Sequence, residues 1–296
     1  MKTIFKGTGT AMITPFTEDG VDYPALKKLI EYQIDSGIDA LIVLGTTGEA
    51  ATLTDEEYAD VATFCIKEIA GRTKVILGTG SNCTRKAIEK SRYAETLGVD
   101  GLLVVTPYYN KCTQKGLVKY YDDVCSAVSL PVLCYNVPAR TGVNILSRTM
   151  ETIADIPNIY GIKEACGNME QICETARLIR EKCALYSGDD NLNLAMLSIG
   201  SQGLISVASN IAPKEVGDVA RHYFAGRNAE AVALQERLLP LIDAMFTEVN
   251  PIPVKTAAAL IGIGTPYVRP PLTVLEDEHR ADMIKILKNF GLKIEA

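Results

Sequence analysis

From residue 7 to about residue 224 the chain alternates short, nearly continuous apolar runs with longer stretches whose apolar positions recur every three to four residues. The runs fall at residues 9–13, 40–44, 74–77, 101–105, 131–135, 159–163, 184–186 and 203–207. They are too short for helices and mostly lack polar/apolar alternation, which is the pattern of strands buried on both faces. The stretches between them, such as 23–36, 55–70, 85–97, 114–128, 168–180 and 213–224, read as amphipathic helices, several opening on Asp, Ser, Thr or Asn at the cap position. Thr54 followed by Glu57 predicts a capping box. Eight such βα units predict an α/β fold, a (β/α)8 TIM barrel, with a doubly wound open sheet as the alternative.

The rhythm breaks after residue 225. Residues 228–248, 252–261 and 276–289 read as helices with no strand between them. The expected organisation is therefore a catalytic barrel over 1–225 and a C-terminal α-helical appendage over 226–296. Asn250-Pro251-Ile252-Pro253 opens one of these helices, either as a plain turn or with a role near the site.

Composition narrows the function. A net charge of -6 and a pI near 5.2 supply no general field for nucleic acid or an anionic membrane, so neither is an expected partner. No stretch reaches the ~18 uninterrupted apolar residues of a membrane span, and the first residues lack an apolar leader core. The expected location is cytoplasmic. Eight cysteines without a Cys-x-x-Cys pair suit free, mostly buried thiols in a reducing compartment. The two histidines, His222 and His279, stand in charged helical segments, so nothing argues for a zinc site or a His-assisted nucleophile, and no metal is expected. Any chemistry falls to Lys, Tyr, Thr and Arg.

Lys163 is the residue to account for, since it ends an apolar strand in Tyr160-Gly161-Ile162-Lys163-Glu164-Ala165. A lysine is rarely sent into such a place. Desolvation can lower a lysine pKa by up to ~3–5 units, and the neutral amine is the form that attacks a carbonyl to make a Schiff base. The competing reading is a side chain that snorkels from the strand end to solvent. In a barrel the C-terminal strand ends form the active-site face. Those ends carry Gly45-Thr46-Thr47-Gly48-Glu49, Thr106-Pro107-Tyr108-Tyr109-Asn110, Tyr135 to Gly142 and Ser187-Gly188-Asp189-Asp190. The glycines of the first loop let amides approach a ligand, and its hydroxyls can bind a carboxylate or relay a proton. Tyr135 could serve an adjacent imine as general acid and base. The Arg140 guanidinium suits either a surface ion pair or a bidentate grip on a substrate carboxylate.

Gly45-Thr46-Thr47-Gly48-Glu49, Tyr135-Asn136-Val137-Pro138-Ala139-Arg140-Thr141-Gly142 and Gly161-Ile162-Lys163-Glu164-Ala165, in this order and at these intervals, resemble the pyruvate-dependent Schiff-base lyases of the N-acetylneuraminate lyase superfamily, and within it the dihydrodipicolinate synthase family. The resemblance spans essentially the whole chain, including Asn250-Pro251-Ile252-Pro253-Val254-Lys255. It implies condensation of pyruvate with L-aspartate 4-semialdehyde to 4-hydroxy-tetrahydrodipicolinate, in lysine and diaminopimelate biosynthesis. Lys163 would form the imine, and Tyr135 would be the general acid/base, linked through Thr46 to Tyr109 of a neighbouring subunit. Thr47 would hold the pyruvate carboxylate and Arg140 that of the semialdehyde, with Gly188 and the Ile205 carbonyl lining the pocket. No cofactor is implied, since the imine is itself the electron sink, and the assembly implied is a homotetramer, a dimer of dimers. Thr46-Thr47 and Arg140 favour this reading over another class I pyruvate aldolase, such as N-acetylneuraminate lyase or a keto-sugar-acid aldolase. A non-catalytic keto-acid sensor would be expected to lose Lys163, Tyr135 or Thr46, and all three are present.

One departure from the family's pattern concerns regulation. Lysine-inhibited members bind lysine at the dimer interface with a Ser, His and Glu set together with an Asn and a Tyr. Asn82 and Tyr108 keep that pattern, whereas Ala50, Asp55, Tyr58 and Lys86 depart from it. A lysine where the effector's ammonium would sit is repulsive, so weak or absent lysine inhibition is expected.

Overall fold

Eight parallel strands close into a barrel in chain order, the last beside the first: β1 Gly7–Ala11, β2 Ala40–Val43, β3 Lys74–Gly78, β4 Gly101–Val105, β5 Val132–Asn136, β6 Ile159–Glu164, β7 Ala184–Ser187 and β8 Gly203–Ser206. The structure, a computed structural model, describes residues 1–295. The apolar runs become barrel strands because every residue of β1, β2, β5, β7 and β8 is buried, so neither face needs polar side chains. The open-sheet alternative is excluded by the closure.

Strand bounds move by one or two residues from the sequence pattern. The first run begins at Gly7 rather than residue 9, the Gly7 N–H donating to the Gln202 carbonyl (2.9 Å), and the start of β8 comes so close that a Cβ on Gly203, at φ +156°, would overlap the Gly7 carbonyl oxygen. Short elements carried too little periodicity to be read. These are the hairpin of Phe16–Thr17 with Gly20–Val21 and the helices Pro138–Thr141, Ser147–Ile153 and Asn193–Ser198. The Thr54 capping box is present in both halves, Glu57 N–H donating to Thr54 Oγ1 (3.1 Å) and Thr54 N–H to Glu57 Oε2 (2.9 Å). It opens the helix Asp55–Ile69.

The chain divides into two compact units, one of residues 1–7 with 74–205, the other of residues 8–73 with those from 206 on. The first holds β3 to β7 around a core that includes Tyr121, Leu133, Ile162 and Tyr186, all at most 3% exposed. The second packs Phe16, Leu26, Leu41 and Ile42 and includes the C-terminal helices Asn228–Ala244, Ile252–Leu260 and Asp277–Phe290. Burying each large apolar side chain contributes about 1.5–3 kcal/mol, which is what holds both cores.

All eight cysteines are free, and four of them are buried, fewer than the pattern suggested. Desolvation pushes the Cys65 thiol up to about 12, which makes it inert. Among the described residues no helix is long and apolar enough to cross a membrane.

Candidate active site

In the first unit, β5 and β6 run side by side with Tyr135 opposite Lys163 and Asn136 opposite Glu164. Successive residues of a strand point to opposite faces, so each pair shares a face of its own. The Lys163 side chain does not run to solvent: the residue is 5% exposed, and Nζ lies 4.3 Å from the centroid of the Tyr135 ring, itself on a buried residue. Gly188, just past β7, completes this cluster. A Cβ there would stand 3.0 Å from Cγ and Cε of Lys163 and 2.9 Å from the Ala165 methyl, so only glycine leaves the lysine its course. The Gly188 amide is spent on the Glu164 carbonyl (2.8 Å).

On the opposite face Glu164 is fully buried, and burial raises its carboxyl above the ordinary value. Its oxygens accept Asn136 Nδ2 (2.9 and 3.0 Å) and the Cys166 amide (2.8 Å). Asn136 Oδ1 accepts the Ile145 amide (2.9 Å), and Asn136 Nδ2 also reaches Asn144 Oδ1 (2.8 Å), to which Gln171 donates (3.1 Å). A polar network behind the lysine thus ties the end of the 137–145 loop back to β5 and β6. That loop carries Arg140 on the short helix Pro138–Thr141, exposed on its outer side.

Tyr109 is 89% exposed and sits at φ +69°, an unusual conformation for a bulky residue. Its neighbour Tyr108 is half-buried, and Ile205, near the end of β8, is fully buried. Asn82 is half-buried, with its carbonyl accepting Asn110 Nδ2 (2.9 Å), and Lys86 is exposed on the helix Thr84–Thr96.

In the second unit, β2 leads into Gly45 and a single 3-10 turn, Thr46–Gly48, bracketed by two non-glycine residues in the left-handed region, Leu44 (φ +56°) and Glu49 (φ +52°). Thr46 is exposed. Thr47 is 3% exposed, and its Oγ1 accepts Asn250 Nδ2 (3.0 Å). Thr14 Oγ1 holds the Gly48 carbonyl (2.8 Å). Glu49 is buried and paired with Lys255 Nζ (2.6 Å), and its second oxygen accepts the Arg269 amide (3.0 Å). Of the remaining sequence-derived positions here, Ala50 is half-buried, Asp55 exposed and Tyr58 buried.

Of the residues that the sequence singled out, Lys163, Tyr135 and Gly188 come together in the first unit and Thr47 is buried in the second; the sequence reading gave no role to Glu49, Glu164, Asn136 or Lys255. The available signals were a lysine inside the apolar helix Ile252–Leu260 and a glutamate ending a strand buried on both faces. Asn250 does more than turn the chain, since its Nδ2 donates to Thr47 Oγ1. Glu248, Glu276 and His279 bring potential ligand atoms within 4.8 Å of one another. Glu248 Oε1 already accepts the Glu276 amide (3.0 Å) and lies 2.7 Å from His279 Nδ1, an ion pair that raises the His279 pKa and closes the start of the helix Asp277–Phe290.

A buried lysine against a tyrosine on parallel barrel strands has the groups that imine chemistry needs. The chain matches the model of the Dihydrodipicolinate synthetase family over residues 4–290. It is 46% identical over 285 residues to the 4-hydroxy-tetrahydrodipicolinate synthase of Alkaliphilus oremlandii, covering 96% of this chain and 98% of that one. Its structure superposes on the crystal structure of dihydrodipicolinate synthase from Aquifex aeolicus with a TM-score of 0.96 at 43% identity, over 99% of this chain and 100% of the other. On the chloride-inhibited dihydrodipicolinate synthase of Acinetobacter baumannii, complexed with pyruvate, the TM-score is 0.95 at 41% identity, over 97% and 99% of the two chains. With a match that runs through both units and almost from end to end, the chain belongs to the dihydrodipicolinate synthetase family.

Proposed function

We propose that the protein condenses pyruvate with L-aspartate 4-semialdehyde through an imine on Lys163, giving 4-hydroxy-tetrahydrodipicolinate. The observation that carries this reading is the buried amine of Lys163 beside Tyr135, in a chain 46% identical to a relative of that activity. The Lys163 amine adds to the keto carbon of pyruvate, and loss of water leaves the imine. Tyr135 gives and takes the protons that this addition and dehydration move. The protonated imine then draws electrons from the pyruvate methyl, which loses a proton and attacks the aldehyde as an enamine. The substrate's own amino group displaces lysine and closes the ring, which returns the free amine.

The remaining roles follow the family resemblance. Thr47 holds the pyruvate carboxylate, and its buried hydroxyl, fixed by Asn250, suits a fixed anion. Arg140 takes the semialdehyde carboxylate, and its exposed place on a short helix suits the second, entering substrate. Thr46 and Tyr109 relay protons to Tyr135, Gly188 and Ile205 line the pocket, and the assembly is a homotetramer. The exposure of Tyr109 supports its contribution to a neighbouring subunit, since its ring has little to pack on in its own chain, and its strained backbone is of the kind found at functional sites. Eight free thiols suit the reducing cytoplasm.

The test is turnover with pyruvate and a panel of aldehydes. L-aspartate 4-semialdehyde is expected to be the preferred acceptor, and preference for N-acetylmannosamine or a sugar aldehyde would overturn the assignment.

A further inference from the structure

Lys255 and Glu49 are among the most completely buried charged side chains of the second unit, at 0% and 2% side-chain exposure. Their 2.6 Å contact joins the helix Ile252–Leu260 to the residue that ends the Thr46–Gly48 turn. Both ions meet further groups. The Lys255 ammonium lies 4.2 Å from the centroid of the Phe16 ring, Glu49 Oε2 accepts the Arg269 amide, and the Arg269 guanidinium sits 4.4 Å from the same ring while gripping Glu57. Asn250, five residues before Lys255, donates to Thr47 Oγ1. One short segment thus fastens the turn at two of its residues.

Such an arrangement needs a reason other than fold stability. Burial lowers Lys255 to about 8 even though Glu49 works against that shift, while Arg269 adds to it. The charges that bear on the site are Glu49, Arg269 and, through Arg269, Glu57. Desolvation of the lysine therefore outweighs its attraction to the partner, and buried pairs of this kind are often replaceable by apolar residues without loss of stability. The backbone shows what the pair does hold. Glu49 occupies the left-handed region, a conformation that persists in a non-glycine residue when surrounding contacts over-determine it. Local bonds hold its backbone, the Glu49 N–H donating to the Thr46 carbonyl (3.1 Å) and the Glu49 carbonyl accepting Thr52 N–H and Oγ1 (3.0 Å each), and the two bonds to the Glu49 carboxylate add the long-range anchor.

We infer that Lys255 and Glu49 are positioning residues for pyruvate: the ion pair fixes the left-handed end of the Thr46–Gly48 turn and so aims the Thr47 hydroxyl and its neighbouring amides at the pyruvate carboxylate. The inference rests on the assignment of Thr47 to that carboxylate. Neither residue touches substrate. Their loss weakens pyruvate capture while leaving the amine of Lys163 and the choice of aldehyde as they are.

The experiment measures the pyruvate concentration that half-saturates borohydride trapping on Lys163, with steady-state kinetics alongside. Lys255→Met is expected to raise half-saturating pyruvate by tenfold or more, to reach the wild-type plateau of trapped protein, and to change KM for the aldehyde by less than twofold. Should the unpaired Glu49 prevent Lys255→Met from folding, the double variant Glu49→Gln/Lys255→Met removes both charges, and the same rise is expected of it. Wild-type half-saturation in a folded variant would overturn the inference and leave the proposed function standing. Absence of any adduct on wild-type Lys163 would instead overturn the proposed function.

Discussion

Tyr135 and Lys163 are register partners on adjacent parallel strands, and the lysine Nζ lies 4.3 Å from the tyrosine ring centroid. The contact puts a phenol-bearing ring beside the amine without any loop to hold it, because both residues belong to strands buried in the barrel. Replacing Tyr135 with Phe keeps the ring and removes only the phenol. kcat is expected to fall about 10²–10⁴-fold, the usual worth of a general acid/base, with melting temperature little changed. A Tyr135→Phe enzyme within threefold of wild type would remove Tyr135 from the chemistry.

Gly188 tests the course of the lysine side chain. In Gly188→Ala the new methyl would press on Lys163 Cγ and Cε from 3.0 Å, and a misplacement approaching 1 Å costs up to about 10²-fold in rate. Crowding of this kind also costs about 1–3 kcal/mol of stability. Urea unfolding and kcat/KM of this single variant check both effects, and unaltered kinetics would mean that the lysine has room to spare.

The fold was legible because the barrel's apolar strands and amphipathic helices differ in period, and the capping box at Thr54 was legible because it is local. Lys163 stood out for the same reason, a charge inside an apolar run. What escaped was long-range. Nothing near Glu49 in the chain announces Lys255, 206 residues away, and Glu164 finds Asn136 only because β5 pairs with β6 in that register. The loop helices Pro138–Thr141 and Asn193–Ser198 are too short to show a period at all.

Glu57 and Arg269 set an acid limit on the second unit. The guanidinium bound to Glu57 pulls its carboxyl down from 4.5 to about 2, so the pair's contribution is present above pH 4.5 and disappears as pH falls through 2. Arg269→Met removes the cause, and its acid-unfolding midpoint is expected to rise by about half a pH unit or more. A pH titration followed by far-ultraviolet circular dichroism reads this directly. An unchanged midpoint would show that the pair does not govern acid stability.

A prediction about regulation rests on Lys86 and Asp55, both exposed and both departing from the family's lysine-binding pattern. Half-maximal inhibition by L-lysine is expected only above about 1 mM, because the family pattern would set the Lys86 cation where the effector's ammonium binds. Sub-millimolar inhibition in a standard activity assay would contradict that expectation.

The most direct measurement is borohydride reduction of the protein in the presence of pyruvate, followed by mass spectrometry and peptide mapping. The account predicts one reduced pyruvyl adduct per chain, located on Lys163 and absent from Lys163→Ala. Folded wild-type protein with no adduct, or with the adduct on another lysine, would contradict it.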